Sequence, residues 1–452
     1  HASGQFILAG MRSGQGVRNP PVAVHIFSWP RCFTANPLAL AALPAVLGVL
    51  AVPLCFLVTR ETFGARAGLA AALLLAASPW AVLYSRKIWA QDLLPFFTLL
   101  IMACAFRLVR LRQPAYAAGF CVLLALMIQV HYSALALAPL ALVLMAWARG
   151  RRFTLAWVAG AVLAGLTLVS FLVHQARHDF EDFRLATLAL GQERVAPAGP
   201  WRAALFQAQM LSYAGFDYPL GRSWPAFSQK AFTWPGAPIA AALLLALGFA
   251  AALARSRRDS ASLLLALWIA LPVLAWSLVP PVTHYQIIAL PAPFIAIGLL
   301  IETLAPKAQT PQDALRRAGQ RLLAAVFVLL AAANTLFFCS FLDFIESHGG
   351  GQGDYGVAYR YQLAIARGLA TQAPTQPWAL ADLTSMNPDP QVLSALAQPL
   401  GAGPWARSPA PGVALFCLYR PGDPRAQRLP AQRRDTPAGP LRLALIHPAP
   451  RP

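Results

Sequence analysis

The stretch Tyr84-Ser85-Arg86-Lys87-Ile88-Trp89-Ala90-Gln91-Asp92 sets two cations and a carboxylate close together in a chain of which only 12% is charged. Such a trio suits transfer chemistry at a phosphate ester. Cations stabilise the charge that grows on a departing phosphate, and a carboxylate takes or orients the proton of the attacking group. A structural reading stands beside it. Trp80, Tyr84 and Trp89 form an interfacial aromatic belt, and Arg86 and Lys87 snorkel to lipid phosphates.

Other polar residues gather in comparable positions. The first loop, "GMRSGQGVRNPP", supplies Arg12, Arg18 and Asn19, and its glycines let the backbone approach a ligand closely. His131-Tyr132 and His284-Tyr285 occupy short turns between apolar runs. There a histidine serves as a ligand, a proton carrier or an interfacial residue. From His174 the chain reads "HQARHDFEDFRLATLAL", with charges alternating with Phe180, Phe183 and Leu185 as in a helix lying along an interface. The aromatic residues that follow, from Tyr213 to Trp234, suit a cover over a lipid-substrate cavity or anchoring to the membrane surface.

The elements that must position these residues are apolar helices. With 452 residues, 58% hydrophobic content and a mean hydropathy of +0.55, the chain has more apolar surface than one soluble core can hide. Ten segments approach bilayer length, at roughly 37–58, 65–83, 93–109, 114–130, 133–148, 154–173, 237–254, 261–280, 285–304 and 322–343. The expected fold is therefore an α-helical polytopic membrane protein. The net charge of +19 would suggest nucleic acid in a soluble chain, but here Arg and Lys punctuate the apolar runs in every second loop. Those loops are expected on the cytoplasmic side. The opposite side takes residues 1–36, the stretch from Tyr84 to Asp92, the two His-Tyr turns, the 174–236 connection and the C-terminal segment. Six scattered cysteines without CxxC spacing indicate neither a disulfide framework nor a zinc site.

Residues 1–343 are expected to form the membrane domain, and 344–452 a small exported α/β domain. "HGGGQGDYG" marks a Gly-rich linker between them, and "GVALFCLYR" and "LRLALIHP" read as strands. Residues 1–36 carry no signal-peptide pattern. An even number of spans leaves both ends outside, so a further helix upstream of His1 is expected.

The combination of "RNPP", "FGARAG", "SPWAVLYSRKIWAQD", "QVHY", "HYQIIALP" and "GDYGVAYRYQ" resembles bacterial membrane glycosyltransferases of the GT-C class, of the protein-mannosyltransferase and aminoarabinose-transferase type. The likeness runs from Gly10 to about Tyr361 and is strongest from Trp80 to Asp92. It implies a GT-C-like bundle that transfers a hexosyl or pentosyl group from a polyprenyl-phosphate-linked donor to a lipid, glycan or protein acceptor on the outer side of a bacterial cytoplasmic membrane. It also implies a catalytic role for Asp92 and donor-phosphate binding by Arg86 and Lys87. Arg18, Asn19, Tyr84, His131, His284 and Tyr285 complete the expected binding surface. The family's first acidic site, usually an Asp-Glu pair, has no counterpart in residues 1–36, which hold no Asp or Glu. A divalent cation suits carboxylate and phosphate oxygens, but one carboxylate is too few to assign a metal site. Membrane lipids are expected partners and nucleic acid is not. The rival reading is a transporter or lipid flippase; the scarcity of charge within the spans and the lack of paired interrupted helices weigh against it.

Overall fold

Six of the ten apolar stretches form helices long and apolar enough to cross a bilayer: Leu38–Phe63, Ala90–Leu111, Arg151–Arg177, Ala237–Ser256, Ser260–Ser277 and Arg317–His348. Four are shorter: Ala65–Ala77, Ala115–Val130, Tyr132–Trp147 and Pro291–Thr303. The computed structural model describes residues 6–12, 16–34, 36–191, 199–278, 283–304, 312–410, 413–430 and 433–446. Two compact units emerge, one of His1–Tyr213 with Pro235–Thr335, the other of Ala214–Trp234 with Leu336–Pro452.

The short helices have local causes. Pro79 pushes Ser78 into an extended conformation (φ −73°, ψ 120°), which divides the 65–83 stretch into Ala65–Ala77 and Pro79–Tyr84. The Ser78 hydroxyl then caps the second piece, accepting from Ala81 N–H at 3.2 Å. Trp89 and His131 are likewise extended, and each is followed by a 3-10 segment, Ala90–Leu93 and Tyr132–Leu137. A third 3-10 segment, Thr283–Ala289, precedes Pro291–Thr303. In each of these three cases proline occupies the first turn of the α-helix that follows, where its missing N–H costs nothing.

Close helix contact comes from small residues. A Cβ on Gly298 would lie 2.3 Å from the Ala67 carbonyl oxygen, one on Gly68 2.8 Å from that of Phe56, and one on Gly248 2.8 Å from that of Ala296. Helices Leu38–Phe63, Ala65–Ala77, Pro291–Thr303 and Ala237–Ser256 thus stack nearly backbone to backbone, as membrane helices do where dispersion replaces the hydrophobic effect. Pro291–Thr303 is buried along most of its length, whereas Val46, Val49, Val158, Val162, Leu166 and Leu243 point outward from their helices as a lipid-facing surface should.

The charged loops bind one another. Arg107 clasps Glu61 with two guanidinium nitrogens at 2.8 and 3.0 Å, Arg112 donates to the Trp147 carbonyl at 2.8 Å, and Arg255 to Thr303 Oγ1 at 3.4 Å. Glu302 accepts from Ala67 N–H at 3.3 Å, at the start of the Ala65–Ala77 helix. The positive-inside pattern thus corresponds to one end of the bundle.

The second unit contains a four-stranded sheet of β1 (Trp378–Asp382), β2 (Ala414–Tyr419), β3 (Arg433–Ala438) and β4 (Leu441–Ile446), in the order β1-β2-β4-β3. β1 and β2 are parallel, with Trp378 opposite Ala414; the other pairs are antiparallel. Tyr361, Ile365 and Leu369, at successive i,i+4 positions of helix Tyr359–Gln372, pack with Trp378, Phe416, Leu418 and Leu443 to form its core. Phe216, Phe227, Phe337, Phe341 and Phe344 make a second cluster, with ring centroids 5.1 to 6.3 Å apart and mostly edge to face. The Gly-rich stretch after Ser347 is no loose linker. Gly350 bridges to Val357 and Gln352 to Gly221, and a Cβ on Gly353 would meet Gly221 N and Tyr218 O at 2.5 Å. Its glycines serve close packing.

Gly298→Val should therefore destabilise the detergent-solubilised protein by about 1–3 kcal/mol, as overpacking does. Gly165→Ala, where nothing stands within 4 Å of the added carbon, should leave the melting temperature unchanged or slightly raised. Equal melting temperatures for the Gly298 variant and the parent would sink the close-packing argument.

Candidate active site

The third 3-10 segment contacts the other two, and together they carry Asp92, His284 and Tyr285, with His131 capping the second. Leu93, Asp92 and Gln91 are buried where Ala90–Leu93 turns into the next helix. Gln91 Nε2 lies 3.0 Å from His131 Nε2, and His131 Nδ1 lies 2.8 Å from Ser133 Oγ and 3.2 Å from Ser133 N. On the third segment, His284 packs against Trp89 with centroids 4.6 Å apart and the rings tilted by 59°, and Tyr285 lies 5.9 Å from the His131 ring. Trp268 Nε1 donates to the Ile288 carbonyl at 3.1 Å, holding this segment to helix Ser260–Ser277. Tyr84 stacks on Trp80 at 5.5 Å and approaches Trp89 at 6.3 Å. Lys87 Nζ sits 5.1 Å from the Trp89 ring centre, a cation–π geometry that keeps the ammonium beside the aromatic wall. Arg86 is exposed. Asp92, Tyr84, Lys87, His131, His284 and Tyr285 are thus drawn into one region by contacts that run between segments far apart in sequence.

Arg18 and Asn19 lie in a separate cluster. Asn19 closes a small turn: its carbonyl accepts from Gly10 N–H at 2.7 Å and its N–H donates to the Met11 carbonyl at 3.0 Å. Arg18 N–H donates to Asp182 Oδ1 at 2.9 Å, and its guanidinium donates to His174 Nε2 at 2.9 Å. Gln175 Nε2 donates to Asp182 Oδ2 at 2.6 Å. Tyr132, next to His131, donates to the Arg18 carbonyl at 3.3 Å and so joins the two clusters.

His174, Gln175 and Asp182 were not singled out from the sequence as site residues; nor was Gln91. No local pattern of residue types marks them; it is the structure that sets Asp182 apart, since among described acidic side chains only Asp92 and Asp182 are buried, at 3% and 4% exposure. The expected interfacial helix is interrupted at Asp179 and Phe180, both left-handed (φ 49° and 54°), and the following helix, Glu181–Gly191, begins with Asp182 in its first turn. That reversal brings Asp182 back to His174 and Gln175. Among the described residues no three His, Cys, Asp or Glu side chains are close enough to hold a metal ion.

Residues 19–174 match the family model described as dolichyl-phosphate-mannose-protein mannosyltransferase. No curated protein matches the chain in sequence. Among solved structures the chain is similar to ArnT from Cupriavidus metallidurans. The apo form aligns at 14% identity and a TM-score of 0.55, covering 95% of this chain and 88% of that one. The form bound to undecaprenyl phosphate aligns at 16% identity and a TM-score of 0.56, covering 98% and 90%. The GT-C resemblance of the sequence thus reappears in a family match over 19–174 and in a shared fold over nearly the whole chain. The chain is a multi-pass membrane protein of that architecture.

Burial pushes the His131 pKa down from its ordinary 6.5 to about 4. A neutral ring can accept from Ser133 N–H at Nδ1, whereas an imidazolium would set its Nδ1–H, donor against donor, on that N–H. Because the folded value lies below the unfolded one, the stability contributed by neutral His131 is present above about pH 6.5 and drains away as pH falls towards 4. The melting temperature of the native protein should therefore drop more steeply between those limits than that of His131→Gln. Parallel curves would show that protonation of His131 is not coupled to folding.

Proposed function

We propose that this protein transfers a sugar from a polyprenyl-phosphate-linked donor to an acceptor hydroxyl at the end of the bundle opposite its Arg-rich loops, the extracytoplasmic side of a bacterial cytoplasmic membrane. The observation that carries the reading is the gathering at that end of Asp92 and Gln91 from one 3-10 segment, Tyr285 from another and His131 from the cap of a third, with Lys87 against Trp89 beside them. The match over 19–174, which includes all of these except Tyr285, and the undecaprenyl phosphate bound by ArnT support a polyprenyl-phosphate donor.

In this reading the acceptor oxygen attacks the anomeric carbon as the bond from that carbon to the phosphate oxygen breaks. Asp92 takes the hydroxyl proton, and the phosphate keeps the bonding electrons as it leaves towards Lys87 and Arg86. Gln91 and His131 hold the 3-10 turn on which Asp92 sits, while His284, Tyr285 and Tyr84 line the aromatic wall. Asp182, fixed by Arg18 N–H and Gln175, acts as the second carboxylate and orients the acceptor together with Arg18 and Asn19.

Asp92→Asn should lower kcat about 10²- to 10⁴-fold, the usual reach of general base catalysis, with the melting temperature retained. Asp182→Asn should raise KM for the acceptor more than for the donor. Lys87→Ala should raise the donor KM about tenfold, the loss of one charge-assisted contact. The assay pairs purified protein in lipid nanodiscs with a panel of polyprenyl-phosphate sugars. Unchanged turnover in the Asp92 variant would remove that residue from the reaction, and release of labelled lipid to the opposite leaflet without sugar transfer would favour a flippase.

A further inference from the structure

The second unit carries a cleft that the transfer reading does not use. β1 and β2 are its parallel pair, and both end on the same edge, at Asp382 and Tyr419. In sheets containing parallel strands, the crevice outside their carboxyl ends, where the following loops diverge, is the usual place for a small ligand. Here the loop after β1 contributes Leu383 and Thr384, the loop after β2 the turn from Arg420 to Arg425, and Gln352 a third wall. The cleft is open to solvent, with a volume of about 560 Å³. That falls within the roughly 300–1,000 Å³ of small-molecule sites and far exceeds what one or two waters need.

The charges around the cleft are unevenly committed. Asp382, which does not line it, accepts from Thr384 N at 2.8 Å, Thr384 Oγ1 at 2.5 Å and Asn387 N at 3.1 Å, and so shapes its own loop. Asp423 accepts from Arg425 N and from the Arg425 guanidinium, both at 2.8 Å, and Arg425 also donates to the Leu383 carbonyl across the cleft mouth. Arg425 and Asp423 thus hold each other and the two loops. Arg420 is different. One terminal nitrogen donates to the His348 carbonyl at 3.2 Å, and its buried Nε has no hydrogen-bond partner among the described residues. Burial pushes its pKa down, against the opposing pull of Asp382 and Asp423. A half-buried guanidinium on a cleft wall, with one terminal nitrogen committed to the His348 carbonyl, favours an anion that its remaining N–H groups can bind. Gly422, at φ 84° with nothing within 4 Å of where a Cβ would stand, leaves the adjoining turn open to such a group.

We propose that this cleft binds a phosphate monoester, with Arg420 as its anion anchor. The volume accommodates the phosphate together with a sugar-sized body. A soluble sugar phosphate and a phosphorylated lipid headgroup present the same chemistry, and the proposal concerns binding alone, independent of sugar transfer.

The test is isothermal titration of the full-length protein in neutral detergent, at constant ionic strength, with inorganic phosphate, glucose 6-phosphate, dihexanoyl phosphatidic acid and acetate. Saturable binding of the phosphates is expected, at least tenfold tighter than acetate. Arg420→Ala should weaken it tenfold or more, Arg420→Lys less, and Arg407→Ala, at an exposed position outside the cleft, not at all. The tighter of the two esters identifies the source. Protection of Arg420 from phenylglyoxal by phosphate, read by peptide mass spectrometry on the unmutated protein, keeps the test valid if a variant misfolds. Absence of saturable phosphate binding, acetate binding as tight as phosphate, equal affinity in Arg420→Ala or unprotected Arg420 would each overturn the proposal.

Discussion

A backbone amide or carbonyl without a partner costs several kcal/mol in hydrocarbon, so chain that leaves the α-helix within a membrane protein must be buried in protein or meet water. The arrangement of the membrane unit follows from that constraint. Among its departures from helix are Ser78, Trp89, His131 and the 3-10 segments at Ala90–Leu93, Tyr132–Leu137 and Thr283–Ala289. The segment Thr283–Ala289 packs on the other two, and side chains complete the bonding of these departures: Ser78 caps Ala81 N–H, His131 accepts from Ser133 N–H, and Trp268 donates to the Ile288 carbonyl. The polar groups brought in to satisfy irregular backbone are then already assembled at one end of the bundle, where the proposed transfer would use them.

Close packing makes that gathering rigid. Pro291–Thr303 is lodged between Ala65–Ala77 and Ala237–Ser256 through Gly298 and Gly248, and the same helix continues from the 3-10 turn that carries Tyr285. At its other end Glu302 accepts from the Ala67 N–H. A displacement of this helix would move the aromatic wall, so the glycine contacts contribute to site geometry as well as to stability. In the same way, Gln207 donates to the Ile269 carbonyl and Asn334 to that of Leu211, tying connecting backbone to the helices at buried positions.

Much of this was legible from residue types. The apolar runs locate all ten helical stretches, and the arginines of alternate loops identify one end of the bundle, because both signals are local and repeated. The stretch from Tyr84 to Asp92 is distinctive for a related reason: charge is rare enough in this chain that a cluster of it is conspicuous. What the sequence concealed depends on long-range contact. Gln91 matters through His131, forty positions away, and Asp182 through Arg18, still farther. "HDFEDF" reads as the polar side of an interfacial helix until Asp179 and Phe180 turn left-handed; aspartate tolerates that region, but the bulky Phe180 gives no sign of it. The Gly-rich stretch after Ser347 was misleading in the opposite sense, since glycine permits close approach as readily as flexibility.

The distribution of acidic residues links the fold to the proposed chemistry. At the Arg-rich end, each carboxylate with described contacts has a structural partner. Glu61 takes Arg107, Glu302 meets the Ala67 N–H, and Asp259 caps the Ser260–Ser277 helix by accepting from Ala261 N–H at 3.2 Å and Ser262 Oγ at 2.6 Å. These groups are placed as capping and ion-pair rules would place them. Asp92 and Asp182 are the described acids that are buried, and both belong to the clusters joined through His131 and Tyr132. Burying a carboxylate is costly, and replacing a buried ion by a well-packed apolar side chain is often neutral or stabilising. Asp182 is compensated in place by Arg18 N–H and Gln175 Nε2. In the proposed reaction both carboxylates would have a further use, because a carboxylate held in place and shielded from water acts on a developing charge without first reorganising solvent around it.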